Sequence, residues 1–426
     1  MTIKTSDWLK SAIIYEVFPR NHTQEGNIQG ITRDLERIRE LGVDIVWLMP
    51  VYPVGRKGRK GKEGSPYAIR DYRSIDPALG TSEDFKKLVD KAHRLKLKVI
   101  IDVVFNHTAI DSVLVKKHPE WFYKTPEGEI SRKIDDWSDI VDLDFSSSKL
   151  KEYLIDTLQY WVDLGVDGFR CDVAALVPLS FWKEAREQIK TDREIIWLAE
   201  SVEKSFVKFL RESGYVCHSD PELHEVFDLT YDYDGFEYLK SYFKGQGQIH
   251  DYINHLYIQE TLYPENAIKM RFLENHDNVR IASIIKDKTR LKNWTAFYLL
   301  LPGASLIYSG QEYGIDNTPD LFNQDPIDWE TGDPDFYSYM KRLVSIARKI
   351  KSNCYRFSIK EIVKGIIEIK WQGREDCYLS LLNLEDRYGY LDCNSVYSGY
   401  DMLNDRVYES GEKMKIEKNP LILKLK

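Results

Sequence analysis

Four apolar runs in this chain each carry a carboxylate at or near their C-terminal end. The runs lie in the segments 99–107, 168–172, 195–200 and 272–277, and their acids are Asp102, Asp172, Glu200 and Asp277. Buried parallel strands are apolar along their whole length, and in a barrel of such strands the chemistry lies at the C-terminal ends. Four segments of this kind in one chain predict an active site built from carboxylates.

Strand-like apolar runs alternate with amphipathic helical segments through most of the sequence. One predicted helix carries Ile31 and Leu35 on the same face and is closed by Gly42. Others are predicted at 150–164 and at Ser82, which is suited to be an N-cap. The eight predicted strands are 12–18, 43–48, 98–104, 166–170, 195–199, 225–229, 269–273 and 304–308. This alternation is typical of an α/β protein with a (β/α)8 TIM barrel.

The spacing of the acids predicts how the chain is divided. Asp172 and Glu200 are about one βα unit of roughly 30 residues apart, whereas the longer interval after Asp102 leaves room for an insert following strand three. Later in the chain the helical period is lost, and strands are predicted at 359–371, 377–383 and 421–425. We therefore expect a catalytic barrel (1–107 and 148–350), a small insert domain (108–147) and a C-terminal antiparallel β-sandwich domain (351–426).

The composition fits a soluble enzyme that acts on a neutral molecule. The formal net charge is −8, which argues against nucleic acid or an anionic membrane as a partner. The five cysteines are in no metal-ligand spacing, and neither a signal peptide nor an apolar stretch of membrane-spanning length is recognisable. These features predict a cytoplasmic protein with reduced thiols, and they leave its oligomeric state open.

A segment rich in lysine and arginine, at 54–65, follows the second predicted strand. In isolation it resembles a short nucleic-acid-binding tail. Because the rest of the chain is acidic, we interpret it instead as a flexible, solvated loop on the rim of the barrel.

The acids at the rim meet the requirements for breaking a glycosidic bond. That reaction needs one carboxyl group to protonate the leaving oxygen and another to act as nucleophile or base. Arg170 lies two residues before Asp172, so both side chains point to the same side of a strand, and the guanidinium would keep the acid ionised. Glu200 follows an apolar run, where burial would raise its pKa as a general acid requires. Asp277, beside His276, is suited to stabilise positive charge at the anomeric carbon.

Several motifs together resemble those of the α-amylase family, glycoside hydrolase family 13. The specific ones are Asp-Val-Val-Phe-Asn-His at 102–107, Gly-Phe-Arg-Cys-Asp at 168–172 and Asn-His-Asp at 275–277. The segments at 65–72 and 302–312 are similar to those that follow strand two and form strand eight in that family. The resemblance covers the barrel, the insert and the C-terminal domain, and it implies a retaining α-glucan-active enzyme that works by double displacement.

The resemblance also implies a role for each matching residue. The implied catalytic residues are Asp172 as nucleophile, Glu200 as acid/base and Asp277 as transition-state stabiliser. The implied substrate-binding residues are Tyr67, which would stack on the sugar ring, His107 and His276, which would bind hydroxyl groups, and Arg170, which would orient the nucleophile. Asp102 would brace the rim rather than take part in the reaction.

Two departures from the family pattern bear on the substrate. Typical α-amylases follow the nucleophile segment with a Lys-His pair that contacts sugar on the leaving-group side, whereas this chain has Val-Ala-Ala-Leu at 173–176, and its insert is short. Both favour maltooligosaccharides or short α-glucans as substrates. No cofactor is expected for catalysis. Many members hold a structural calcium ion, for which Asn106 and Asp142 match the ligands, although the carbonyl donor of the Lys-His pair is missing.

The leading interpretation is therefore hydrolysis of α-1,4-glucosidic bonds in maltooligosaccharides or short α-glucans. The nearest alternative is an α-glucosidase, a sucrose-active enzyme or a transglycosylating member of the same family, since these share the rim acids and differ in their loops. A remote alternative is a non-catalytic, barrel-shaped interaction protein, which the presence of all three acids disfavours.

Overall fold

The computed structural model describes residues 5–392, 397–411 and 413–426. Its strands are β1 (Ile13–Val17), β2 (Ile45–Leu48), β3 (Lys98–Val103), β4 (His107–Ala109), β5 (Ile140–Asp142), β6 (Gly168–Cys171), β7 (Ile196–Ala199), β8 (Leu229–Tyr231), β9 (Ile268–Arg271), β10 (Ala304–Tyr308), β11 (Cys354–Val363), β12 (Ile366–Gly373), β13 (Cys377–Asn383), β14 (Tyr390–Asp392), β15 (Ser398–Asp401), β16 (Arg406–Glu409), β17 (Lys413–Lys415) and β18 (Leu421–Leu425). Its α-helices are α1 (Ile28–Glu40), α2 (Ser82–Arg94), α3 (Val113–Lys117), α4 (Ser148–Asp163), α5 (Leu179–Gln188), α6 (Lys204–Glu212), α7 (Asp220–Leu223), α8 (Tyr233–Phe243), α9 (Ile249–Leu262), α10 (Ile281–Ile284), α11 (Lys288–Leu299) and α12 (Pro334–Asn353).

Eight parallel strands close into a barrel, in the order β1, β2, β3, β6, β7, β8, β9, β10 and back to β1. Every residue of β1, β2 and β10 is buried, as expected for parallel strands covered by helices. The helices lie outside; α2, for example, buries Phe85, Leu88, Val89 and Ala92 along one face. The predicted (β/α)8 barrel is confirmed.

Two local predictions in the barrel are wrong. The sixth strand forms at Leu229–Tyr231 rather than 225–229, because the preceding chain forms α7 and a turn in which Phe227 N–H donates to Leu223 O. The N-cap of α2 is Thr81 rather than Ser82. Thr81 Oγ1 accepts from Asp84 N–H over 3.1 Å while the Asp84 carboxylate accepts from Thr81 N–H over 3.0 Å, which is a capping box.

The segment between β3 and α4 leaves the barrel and returns to its rim. Its first and last parts are the short antiparallel strands β4 and β5, in which His107 lies opposite Asp142. This pairing fixes the base of the insert directly beside the C-terminal end of β3.

The C-terminal region forms a six-stranded antiparallel sheet in the order β11, β12, β13, β18, β15, β16, together with a two-stranded sheet of β14 and β17. The predicted single strand at 359–371 is wrong: the region is a hairpin of β11 and β12, which turns at Gly365 with a φ of +79°. The larger sheet buries Ile367 and Trp371 with the barrel core, and Leu379 on its other face packs with Met414 of the small sheet. The predicted antiparallel β-domain is therefore present.

Two further properties concern the chain as a whole. Among the helices in the described ranges, none has the combination of length and apolarity that crossing a bilayer requires. The four described cysteines, Cys171, Cys217, Cys354 and Cys377, are free thiols, and Cys393 lies outside the described residues.

Candidate active site

Asp172 and Glu200 leave the barrel side by side. The residues before them, Cys171 of β6 and Ala199 of β7, are partners in the parallel ladder. The pairing continues one step further, since Asp172 N–H donates to Val103 O over 2.9 Å and Glu200 N–H donates to Cys171 O over 3.0 Å. The register of neighbouring strands therefore places both carboxyl groups at the same level of the C-terminal rim, where barrel enzymes carry their chemistry.

Arg170 connects the acids of the rim. Its side chain is fully buried, and Nη1 donates to Asp102 Oδ1 over 2.8 Å and to Asp172 Oδ1 over 2.9 Å. Its Nη2 lies 2.7 Å from Glu200 Oε1, as an ion pair without the alignment of a hydrogen bond. The contact with Asp172 follows the sequence prediction, whereas the contact with Glu200 was not predicted. One guanidinium thus fixes two candidate catalytic carboxyl groups.

Asp102 lies beneath this pair and is fully buried. Besides Arg170, it accepts hydrogen bonds from Trp47 Nε1 over 3.2 Å and from the Tyr67 hydroxyl over 3.3 Å. Each contact of Asp102 holds another rim residue in place, which fits the bracing role expected from the sequence.

The third acid, Asp277, is more open to solvent than the other two. Its side chain is 40% exposed, compared with 8% for Asp172 and 9% for Glu200. Asp277 Oδ2 lies 3.2 Å from His276 Nε2 and accepts a hydrogen bond from Tyr233 OH over 3.3 Å. His276 and Tyr67 link Asp277 to the other acids, because the Tyr67 hydroxyl lies 2.6 Å from His276 Nε2 and also donates to Asp102.

The predicted substrate-binding residues surround the same point. His107 Nε2 lies 4.0 Å from Asp172 Oδ2, and the His107 ring lies against the ring of Trp137 at a centroid distance of 5.6 Å. Tyr67 places its hydroxyl 2.6 Å from His276 Nε2, and its ring stacks on that imidazole. The structure therefore brings all seven predicted catalytic and substrate-binding residues into one cluster.

Burial controls the protonation of the two central acids. It raises the pKa of Glu200 to about 8, against the lowering effect of Arg170 and with the help of the neighbouring carboxylates. It likewise raises the pKa of Asp172 to about 7. Arg170 lowers the pKa of Asp172, as expected, but contrary to the sequence prediction it does not outweigh burial. Arg170 Nη1 donates a hydrogen bond to Asp172, whereas its Nη2 lies near Glu200 without the alignment of one, so the pair is suited to having Glu200 as acid and Asp172 as nucleophile.

Two contributions to the site were missed in the sequence. The backbone N–H of Val173 donates to Glu200 Oε2 over 2.7 Å, from a left-handed conformation with a φ of +35° that is unusual for a β-branched residue. Glu16, near the C-terminal end of β1, binds the Nδ1 of His276. Glu16 could have been found in the sequence, because it is an acid inside an otherwise apolar strand. No sequence pattern predicts the left-handed conformation of Val173.

The lysine- and arginine-rich loop exposes residues 56–59 and 61–62 to solvent, as expected, and it also contacts neighbouring segments. Lys60 Nζ lies 3.1 Å from Asp139 Oδ1 of the insert, and Lys62 N–H donates to Asn323 Oδ1 over 2.9 Å. At its end, Gly64 O accepts a hydrogen bond from Arg20 Nη1 over 2.9 Å. The loop therefore bridges the insert and the segment that follows β10, and its cations are partly neutralised.

Asn106 and Asp142, the predicted calcium ligands, lie together at the base of the insert. Asp142 Oδ1 is 3.5 Å from Asn106 Nδ2, and Asp142 Oδ2 accepts a hydrogen bond from Lys133 N–H over 2.9 Å. In the ranges that the structure describes, no group of three or more His, Cys, Asp or Glu side chains is placed to hold a metal ion. Calcium takes about six to eight oxygen ligands, so Asn106 and Asp142 would supply only part of a calcium site.

Chelation is therefore expected to leave the fold unchanged. Treatment with EDTA should not shift the melting temperature measured by circular dichroism, because Asp142 already accepts hydrogen bonds from within the protein. A fall of several degrees that added calcium, but not magnesium, reverses would contradict this expectation.

The chain matches the family model "Alpha amylase, catalytic domain" over residues 13–353. It is similar to the crystal structure of an alpha-amylase from Lactobacillus plantarum, with 40% identity, a TM-score of 0.94 and coverage of 98% of this chain and 100% of that one. It is also similar to a noncanonic maltogenic alpha-amylase, AmyB, from Thermotoga neapolitana, with 36% identity, a TM-score of 0.87 and coverage of 98% and 99%. Alpha-amylase 2 of Dictyoglomus thermophilum is 25% identical over 96% of this chain and 75% of that protein.

The family match begins at the first barrel strand and ends with α12, so it includes every strand of the barrel. The candidate acids lie within it, at the strand ends where the barrel fold places catalytic groups. The protein is a glycosidase that belongs to the α-amylase family, glycoside hydrolase family 13.

Proposed function

We propose that the protein is a retaining hydrolase of α-1,4-glucosidic bonds in maltooligosaccharides and short α-glucans. The observation that carries the proposal is the contact of one guanidinium, Arg170, with both Asp172 and Glu200. Contact with one guanidinium places the two carboxyl groups next to each other, an arrangement that suits double displacement, in which the groups lie closer together than in an inverting enzyme.

The reaction proceeds in two displacements at the anomeric carbon. First, Glu200 gives its proton to the glycosidic oxygen as the carbon–oxygen bond breaks, and the Asp172 carboxylate attacks from the opposite face to form a glycosyl ester. Second, Glu200 takes a proton from water, and the resulting hydroxide displaces Asp172 and gives the product in the α configuration. Asp277 faces the positive charge that develops in both transition states.

The preference for short substrates rests on the segment that follows Asp172. Ala174, Ala175 and Leu176 are buried and form a short 3-10 helix, and Ala175 O accepts a hydrogen bond from His218 N–H. This segment offers no polar side chain to sugar on the leaving-group side. The similarity to a protein described as a maltogenic alpha-amylase supports the same preference. We further infer that the enzyme acts inside the cell, where its free thiols stay reduced.

The test is a comparison of maltoheptaose, isomaltose and sucrose as substrates, with the products separated by chromatography. We expect maltoheptaose to yield shorter maltooligosaccharides, while isomaltose and sucrose are cleaved slowly or not at all. In proton NMR spectra of the reaction, the α-anomer of the product should appear first. Preferred cleavage of isomaltose or sucrose would instead indicate the α-glucosidase or sucrose-active alternative, and dominant transfer products at low sugar concentration would indicate a transferase. No turnover on any α-glucoside would support a non-catalytic protein.

A further inference from the structure

Glu16 is an acid that the reaction described above does not use. It lies near the C-terminal end of β1, is fully buried, and accepts a hydrogen bond from His276 Nδ1 through Oε1. Within the described part of the chain, its Oε2 has no hydrogen-bond partner. Burying a carboxylate with so few partners is costly unless its charge is matched by a cation.

The second nitrogen of His276 also faces an acid. His276 Nε2 lies 3.2 Å from Asp277 Oδ2 and 2.6 Å from the Tyr67 hydroxyl. An ionised carboxylate can only accept hydrogen bonds, so its contact with a ring nitrogen is favourable when that nitrogen carries a proton. Carboxylates at both nitrogens therefore favour an imidazolium with a proton on each.

We propose that Glu16 is a positioning residue, which keeps His276 doubly protonated so that this imidazolium fixes the orientation of Asp277. The link to catalysis rests on the proposed function, in which Asp277 faces the anomeric carbon. In this arrangement the charge of Glu16, on the first barrel strand, acts on Asp277 through the imidazole ring of His276.

The surroundings of His276 and Glu16 support this charge state. The groups that face them are Trp47 of β2, Tyr67 after β2, Asp102 of β3, Arg170 of β6, Tyr231 of β8, Asp277 after β9 and Tyr308 of β10. Although burial and Arg170 oppose it, Asp277 and Glu16 raise the pKa of His276 to about 9. The direction of this shift favours a charged His276 at neutral pH.

The direct test is an NMR titration of the protein with 15N-labelled histidine, in the wild type and in Glu16→Gln. The His276 signal is assigned by its loss in His276→Asn. Gln can still accept the hydrogen bond from Nδ1 but removes the charge, so we expect the pKa of His276 to fall by one unit or more. In Glu16→Asp, which keeps the charge, the pKa of His276 should lie closer to its wild-type value. We also expect kcat on maltoheptaose to fall by about 10- to 100-fold in Glu16→Gln, with a smaller change in KM.

Glu312→Gln is the matched control. Glu312 is equally buried and bonds the Tyr15 hydroxyl and Arg37, away from His276. It should change neither the His276 titration nor the pH profile, whatever it does to the melting temperature. The proposal is overturned if wild-type His276 titrates at or below 6.5, or if Glu16→Gln leaves its pKa unchanged. Because the titration needs no substrate, failure of the proposed function appears separately, as a wild type without α-glucosidase or amylase activity.

Discussion

Replacing Asp172 with Asn is expected to lower kcat on maltoheptaose on the order of 10⁴-fold or more. The amide has nearly the shape of the carboxylate and can still contact Arg170, but it cannot form the glycosyl ester on which double displacement depends. Initial-rate measurements, with circular dichroism to verify folding, are sufficient to detect a loss of this size.

Asp228→Asn is the control for that experiment. Asp228 is also buried and paired with an arginine, Arg186, at a distance of 3.0 Å. It precedes β8 and accepts a hydrogen bond from Trp197 N–H, so it lies at the opposite end of the barrel from the rim. We expect Asp228→Asn to affect stability rather than catalysis. An Asp172→Asn variant within about tenfold of the wild-type rate would exclude Asp172 as the nucleophile.

Replacing Glu200 with Gln is expected to have an effect that depends on the leaving group. For maltooligosaccharides, kcat/KM should fall by about 10²- to 10⁴-fold, since the departing sugar oxygen no longer receives a proton. For α-glucosyl fluoride the fall should be much smaller, because fluoride leaves without protonation. An equal loss on both substrates would contradict the assignment of Glu200 as the general acid.

The pH dependence provides a second measurement on the same pair. Activity requires Asp172 ionised and Glu200 protonated, so kcat/KM of the wild type should decline below about pH 7 and above about pH 8. The acidic limb reflects protonation of Asp172, and the alkaline limb reflects loss of the proton from Glu200. Glu200→Gln acting on α-glucosyl fluoride should keep the acidic limb and lose the alkaline one. An alkaline limb that remained unchanged in this variant would have to come from another group.

The sequence predicted most of the barrel because parallel strands leave a strong apolar signal. Strand β10 is found at the predicted residues, and the others lie within a few residues, except β8. Strand β8 has three residues, Leu229–Tyr231, and the apolar pair Val226 and Phe227 before it belongs to a turn. A strand this short cannot be distinguished by composition from the apolar chain that precedes it.

The site could be predicted only where its contacts are local or belong to a known motif. The contact between Arg170 and Asp172 follows from their separation of two residues on one strand. The contact between Arg170 and Glu200 depends on the register between β6 and β7, and that between Glu16 and His276 depends on closure of the barrel between distant parts of the chain. Neither register nor closure is encoded in a local pattern, so both contacts required the structure.

The measurement that tests the central claim most directly is trapping of the covalent intermediate. A glucosyl fluoride with a second fluorine on the sugar ring should form the ester quickly and hydrolyse it slowly, because the ring fluorine disfavours both transition states while the fluoride leaving group accelerates the first step. Peptide mass spectrometry of the trapped enzyme should place one glycosyl group on the peptide that contains Asp172. A label on Glu200 or Asp277, or an enzyme that turns over without a label and releases the β-anomer, would contradict the account.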